Sequence, residues 1–453
     1  MPEEKEQAPV QGSPVYAGWW RLDHPAIWFA VALLIYSLTA GKNLWAGTNN
    51  NYYAWQAYAW LHGHLWLPTV TDPKLDLTFY NGHWYSAFPP MPALIMLPFA
   101  LIWGADANQV MVSVALGALN VVLMRLLVDR LGYFAHFKRG ARCWLTLLFG
   151  FGTVAWQSAI QGSVWYFAHG CVMLCLLLAL WLDLDGRRPF LTGVLVALAG
   201  LARPTAFLGL LFWLAILLKR YLAEEKPQNW FRALFKYWTS SSYGPLKLVA
   251  GPALALGFTF AYNRLRFHSF TDFGYQNMLV AQNIKDILKQ YGQFNPHFFS
   301  HNFKIAFLSL PQFQTHPPFL LFNTDGNSLL FITPAFLLAA LSLRHFKAIN
   351  LSVIKESLWQ NWSAVFTLAG LLTVSATLLP LMLYYNTGQV QFGYRFLQDC
   401  LPFLLLMVAL GWPRSRRGAL WAIGLVLISV ALNFYGVMWY QNFWPELFGS
   451  VPR

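Results

Sequence analysis

Gly41–Pro92 reads GKNLWAGTNNNYYAWQAYAWLHGHLWLPTVTDPKLDLTFYNGHWYSAFPPMP. It follows the apolar run Pro25–Ala40 and is crowded with Trp, Tyr, Asn and His, yet its only acids are Asp72 and Asp76. A polar, aromatic segment of this length between apolar runs has the pattern of an extramembrane loop. Outward from it, on both sides, apolar runs recur that approach the roughly 20 residues a spanning helix needs.

The composition agrees with that reading. The chain is 57% hydrophobic and 11% charged, against about 25% charged in soluble domains. A soluble fold could not hide so much apolar surface, so an all-α, polytopic transmembrane protein is expected. Spans are predicted at Pro25–Ala40, Asn108–Val128, Cys143–Ile160, Tyr166–Leu182, Pro189–Ala202, Ala206–Leu218, Lys247–Tyr262, Leu329–Leu343, Trp362–Tyr385, Cys400–Trp412 and Leu420–Tyr440, about eleven in all. Residues 1–453 read as one domain, with a first loop at 41–92 and a second at 263–328. Within the first loop, Tyr52–Leu67 has helical spacing with aromatics and histidines, which suits an interfacial helix. Met91–Trp103, short and carrying Pro92 and Pro98, suits a re-entrant or interfacial segment.

The net charge of +13 does not point to nucleic acid. Basic residues cluster in short loops between apolar runs, the positive-inside pattern. About two thirds of the 31 Lys and Arg fall on one set of alternating loops, which puts the N-terminus in the cytoplasm and both long loops and the C-terminus outside. Cys143, Cys171, Cys175 and Cys400 form neither a disulfide framework nor a zinc pattern. The N-terminus has no small-residue cleavage site before its next polar stretch, so the first apolar run reads as an anchor.

Asp76 and Asp72 are the candidate acids. A loop carboxylate can act as general base, metal ligand or cap, and Asp72 before Pro73 equally suits a turn. His83 and Tyr85 follow the Asn81-Gly82 turn signal. His83 could join Asp76 at a divalent metal or orient a base, though a histidine in a wet aromatic loop is more often only hydrogen bonded. Arg203 in GLARPT and Arg395 in FGYRFLQD lie at predicted membrane edges, where arginines are costly and usually paired or functional. A guanidinium fork matches phosphate oxygens. The plain alternatives are an interfacial snorkel or an ion pair with Asp399. Tyr394 could stack or hydrogen-bond beside Arg395, and Arg264, Arg266 and His268 are weaker candidates of the same kind. His169 reads as an ordinary buried histidine.

The segments YYAWQAYAWLHGHL, DLTFYNGHWYSAFPPMPALIMLP, GLARPT and FGYRFLQDCLP resemble those of the GT-C superfamily, the multi-pass glycosyltransferases of the dolichyl- or polyprenyl-phosphate-mannose transferase type. The likeness runs over most of the chain as architecture. It implies transfer, with inversion, of a sugar from a polyprenyl-phosphate donor to a lipid, glycan or protein acceptor on the external face of a bacterial plasma membrane. It also implies an Asp as general base or metal ligand, with no other cofactor and no nucleic-acid partner. Many relatives carry an acidic pair soon after the first span, where this chain has Thr48-Asn49-Asn50-Asn51. Asp76 is then the expected base, Asp72 the second choice, and Arg203 and Arg395 the phosphate ligands; Asp272 and Asp399 are the fallback acids. The rival reading is a transporter or flippase for a lipid-linked or anionic substrate, which should place ionisable groups at mid-membrane. A membrane acyltransferase would want a reactive histidine in a more defined setting.

Overall fold

A computed structural model describes residues 23–70, 75–135, 139–225, 235–238, 244–347, 361–389 and 391–442. Helix α1, Pro25–Ala40, starts on His24, whose Nδ1 accepts the Ala26 N–H at 3.1 Å, with proline at the first helical position. A short helix α2 (Asn43–Ala46) leads to α3 (Tyr52–Leu61). Buried Tyr52, Tyr53, Ala54, Gln56 and Ala57 tie α3 into the core, so it packs more deeply than an interfacial helix.

Strands β1 (Leu77–Tyr80) and β2 (His83–Ser86) then pair antiparallel, with Tyr80 opposite His83 and Leu77 opposite Ser86. Asn81 and Gly82 turn the hairpin, both at positive φ, as the Asn-Gly signal predicts. Helix α4 (Met91–Trp103) follows, packed on α3.

The bundle continues with α5 (Gln109–Ala135), α6 (Arg139–Phe151), α7 (Ala155–Gln161), α8 (Val164–Leu182), α9 (Pro189–Ala202), α10 (Leu210–Glu225) and α11 (Pro245–Phe267). After the exposed helix α12 (Gln282–Tyr291) come α13 (Trp362–Met382), α14 (Leu401–Gly411) and α15 (Arg416–Asn442). Among the described residues, 6 helices are long and apolar enough to cross a membrane, or 7 if the pair α6–α7, bent by 48°, is one span. The chain is a multi-pass membrane protein. Other expected spans fall on short apolar helices: α1 has 16 residues, α9 has 14 and α14 has 11. At 1.5 Å per residue these are shorter than the ~30 Å hydrocarbon layer, so length alone yields fewer spans than the eleven expected.

Helices α9 and α11 meet through glycines. A Cβ on Gly193 would lie 2.2 Å from the Leu248 carbonyl oxygen, so only glycine allows this approach. The second loop is tied down at two places. The Leu279 N–H donates to Leu77 O and the Leu279 carbonyl accepts the Asp76 N–H, both at 2.8 Å, which lays this segment along β1. Further on, Asn295 N–H donates to Leu383 O at 2.8 Å and Tyr385 N–H to Gln293 O at 3.0 Å, at the end of α13.

Candidate functional site

Arg203 follows α9 and precedes Pro204. A residue before proline is pushed out of the helical region, and Arg203 is extended, at φ −150° and ψ 120°. Proline thus ends α9 and turns the Arg203 side chain out of the helix. Its Nε donates to both oxygens of Asp399, at 2.7 and 2.9 Å. Asp399 also accepts from Thr205 Oγ1, and from His169 Nδ1 at 2.9 Å. The Asp399 side chain is fully buried, whereas that of Arg203 is 21% exposed. Burial opposes ionisation of Asp399, but Arg203, His169 and Thr205 outweigh it and hold the carboxyl at about 2.

Arg395 opens the 3-10 turn Arg395–Asp399, just ahead of α14. Its guanidinium lies 4.7 Å from the Tyr166 ring centroid and 5.6 Å from that of Phe396. Arg203 lies 4.9 Å from the same Phe396 ring. The two arginines, distant in sequence, therefore converge on one aromatic residue. Arg395 is 6% exposed, donates to Gln389 O at 2.7 Å and to Tyr166 Oη at 3.4 Å, and keeps a buried Nε with no partner among the described residues. Among those residues no carboxylate is within ion-pair distance of it. Burial lowers its pKa, Tyr166 opposes this, and repulsion from Arg203 adds to it.

Asp76 stands just before β1 in the left-handed region, at φ 64°, a conformation that aspartate tolerates better than most residues. Its Oδ2 accepts from Trp165 Nε1 at 2.8 Å. Tyr52 Oη donates to Leu75 O at 2.7 Å and lies 3.2 Å from Asn50 Oδ1, while the Asn50 carbonyl accepts from Val164 N–H. The asparagine run thus stands beside the acid. Burial raises the Asp76 pKa above that of an ordinary aspartate, opposed by the Trp165 hydrogen bond and by the charge of Arg395. Tyr275 feels both Asp76 and Arg203, and Tyr385 feels Asp76. The two arginines thus share the Phe396 ring, and the charge of Arg395 is felt at Asp76.

The other candidates go elsewhere. His83 sits at the hairpin tip, exposed and stacked on Trp66 at 4.5 Å. Asp76 adjoins the opposite end, about 10 Å away along the strand, so the expected pairing of Asp76 with His83 at a metal is corrected: the two do not meet. Tyr85 packs edge-on against Phe267, 5.3 Å away, instead of joining Asp76. Among the described residues no group of three or more His, Cys, Asp or Glu is placed to hold a metal ion. Asp72 lies outside the described residues. Tyr394 is fully buried behind the arginines, 5.9 Å from Phe396, and its hydroxyl has no partner among the described residues.

Arg266 is a structural clamp, giving hydrogen bonds to Ser86 O and Asn263 Oδ1 and stacking 3.9 Å from Tyr262. Arg264 bonds the His268 carbonyl, and Asp272 caps the Gly274 N–H at 2.7 Å. Sequence reasoning missed Trp165, Thr205, Tyr275, Tyr385 and Phe396. GLARPT held a signal for Thr205, a hydroxyl two residues from the arginine. His169 is buried and hydrogen bonded to Asp399, as the reading of it as an ordinary buried histidine expects.

No protein-family model and no curated protein matches the chain. Among solved structures, ArnT from Cupriavidus metallidurans bound to undecaprenyl phosphate is similar over 90% of this chain and 62% of its own, at 13% identity and a TM-score of 0.44. The Archaeoglobus fulgidus oligosaccharyltransferase in its apo form is similar over 96% and 59%, at 14% identity and a TM-score of 0.41. The oligosaccharyltransferase AglB from Archaeoglobus fulgidus, in complex with an inhibitory peptide and a dolichol-phosphate, is similar over 94% and 56%, at 13% identity and a TM-score of 0.42. The chain spans about three fifths of the length of these structures. At these values the likeness adds nothing to the chemistry read from the side chains.

Proposed function

We propose that the protein is a membrane glycosyltransferase that moves a sugar from a polyprenyl-phosphate donor to a hydroxyl acceptor, with residues 1–453 acting as one unit. The observation that carries this is Arg395: a buried cation with no carboxylate partner among the described residues, sharing a ring with a second arginine, calls for an anion. A phosphate seated between Arg395 and the outer nitrogens of Arg203 supplies one. In the reaction the acceptor oxygen attacks the anomeric carbon and the carbon–oxygen bond to phosphate breaks. Asp76, with one oxygen held by Trp165, takes the acceptor proton. The two arginines take up the charge growing on the departing lipid phosphate. Attack opposite the leaving group inverts the sugar. The site faces the outside of a bacterial plasma membrane, and the second loop covers the acceptor.

The flippase reading requires ionisable groups along a path through the bilayer. Asp76, Arg203 and Arg395 instead gather at helix ends and a loop, which favours chemistry at one face. The test is transfer by purified protein from a panel of polyprenyl-phosphate sugars, mannose first, to a panel of lipid, glycan and peptide acceptors. Product that depends on Asp76 and on both arginines supports the reading. Passage of the intact donor across vesicles without bond cleavage sinks it.

A further inference from the structure

We infer that Asp399, braced by His169, is a positioning pair that aims the outer edge of Arg203 at the lipid phosphate. The inference rests on the phosphate reading above and goes beyond it to the residues behind the ligand. Asp399 takes the inner edge of the guanidinium, the Nε–H, with both oxygens at 2.7 and 2.9 Å. That leaves the two terminal nitrogens pointing away from it, and no hydrogen bond from the described residues engages them. A guanidinium is planar, so fixing the Nε edge also fixes the direction of the outer fork.

The carboxylate is itself held from three sides. Thr205 comes from the same turn as Arg203, His169 from α8, and Asp399 belongs to the turn that begins with Arg395. One buried carboxylate therefore sets the relation between the two arginines. The His169 ring makes a single polar contact among the described residues. Its Nδ1 bonds Asp399 at 2.9 Å, and its Nε2 is buried with no partner there. The bond requires its proton on Nδ1. A buried imidazole with one unused nitrogen gains little as packing, but it locks the carboxylate, as a histidine–carboxylate pair locks a metal ligand.

The test uses detergent-solubilised full-length protein, titrated with farnesyl phosphate and with farnesol, and read by tryptophan fluorescence. Wild type binding the phosphate more tightly than the alcohol supports the underlying phosphate reading; equal binding overturns that reading and the inference with it. Given a preference, Arg203→Gln should weaken it about tenfold, the scale of one charged hydrogen bond. Asp399→Asn should weaken it similarly, and the double variant no further, because both changes remove one function. His169→Leu should cost several-fold, and His169→Asn, which keeps an N–H near the Nδ1 position, should restore most of it. A double variant that loses the product of the two single effects, or His169→Leu and His169→Asn that behave alike, overturns the positioning role. If Asp399→Asn does not fold, the two His169 variants decide.

Discussion

On the arginine side of the candidate site, each group sits where the chain changes direction next to the bundle: Arg203 at the end of α9 before Pro204, Arg395 and Asp399 in the turn before α14. On the acid side, Asp76 stands just before β1, held by Trp165 and by its N–H bond to the Leu279 carbonyl. The first half is built from turns whose neighbours are packed helices. The second half is tied to the first from two sides, by the Trp165 hydrogen bond from α8 and by the second loop laid along β1. Such a division suits a reaction in which the leaving group must be held fixed while the acceptor comes and goes.

The largest effect should come from the acid half. Asp76→Asn keeps the shape and an αL-tolerant side chain but cannot take a proton. Turnover should fall about 10³-fold, within the range of general-base loss, with donor binding and thermal unfolding unchanged. Turnover within a few-fold of wild type would separate the hairpin from the chemistry and move the base elsewhere.

The arginine half should respond differently. Arg395→Gln removes a transition-state donor, costing about 10²-fold in turnover, yet it also removes a buried cation that lacks a carboxylate among the described residues. The unfolding temperature should hold or rise. Asp399→Ala should do the opposite to stability, since it strands Arg203 beside a buried gap, at about 3–5 kcal/mol. Equal destabilisation by both variants would mean that Arg395 is anchored by structural partners as the Nε edge of Arg203 is, and the contrast between them would collapse.

The two halves can also be read through pH. Burial keeps the Asp76 carboxyl protonated to higher pH than an ordinary aspartate. A base works ionised, so kcat/KM should drop as pH falls through that raised pKa, about tenfold per unit below it. Because Arg395 favours the ionised form, Arg395→Gln should move this acid limb further up in pH. An acid limb that stays put in that variant would show that the halves are electrostatically separate.

Much of the outline was legible in the chain. The apolar runs marked a membrane bundle, Asn81-Gly82 marked the hairpin turn, and GLARPT and FGYRFLQD held the two arginines that meet at the Phe396 ring. Span number was less legible, because α9 and α14 are apolar at too few residues for hydropathy to separate a crossing from a short buried helix. The partners were the least legible. His169 to Asp399 and Trp165 to Asp76 join residues 230 and 89 positions apart, and no periodicity or local motif encodes such a meeting. His83 misled for the same reason in reverse. Near Asp76 in sequence, it is carried away from it by the strand pairing.

The smallest effect concerns the clasp that holds the acid half in place. Thr78 is fully buried on β1, and its Oγ1 donates to the Gly274 carbonyl at 2.8 Å. Gly274 itself is at φ +88°, and a Cβ there would lie 2.7 Å from the Phe267 ring, so this crossing is already close. Thr78→Val keeps the branched shape and removes only the hydroxyl, leaving that carbonyl without its donor. The cost should be about 1 kcal/mol, taken locally, where the second loop meets the hairpin. Under the division above, donor affinity should not change, because the arginines stand on the bundle. The KM for acceptor should rise a few-fold, because Asp76 and Tyr275 are both carried by the loosened elements. Titrating donor and acceptor separately in steady-state assays reads the two effects apart. A rise in donor KM of the same size would mean that the hairpin and the second loop also hold the phosphate end, and that the site is one continuous unit instead of a fixed half and a carried half.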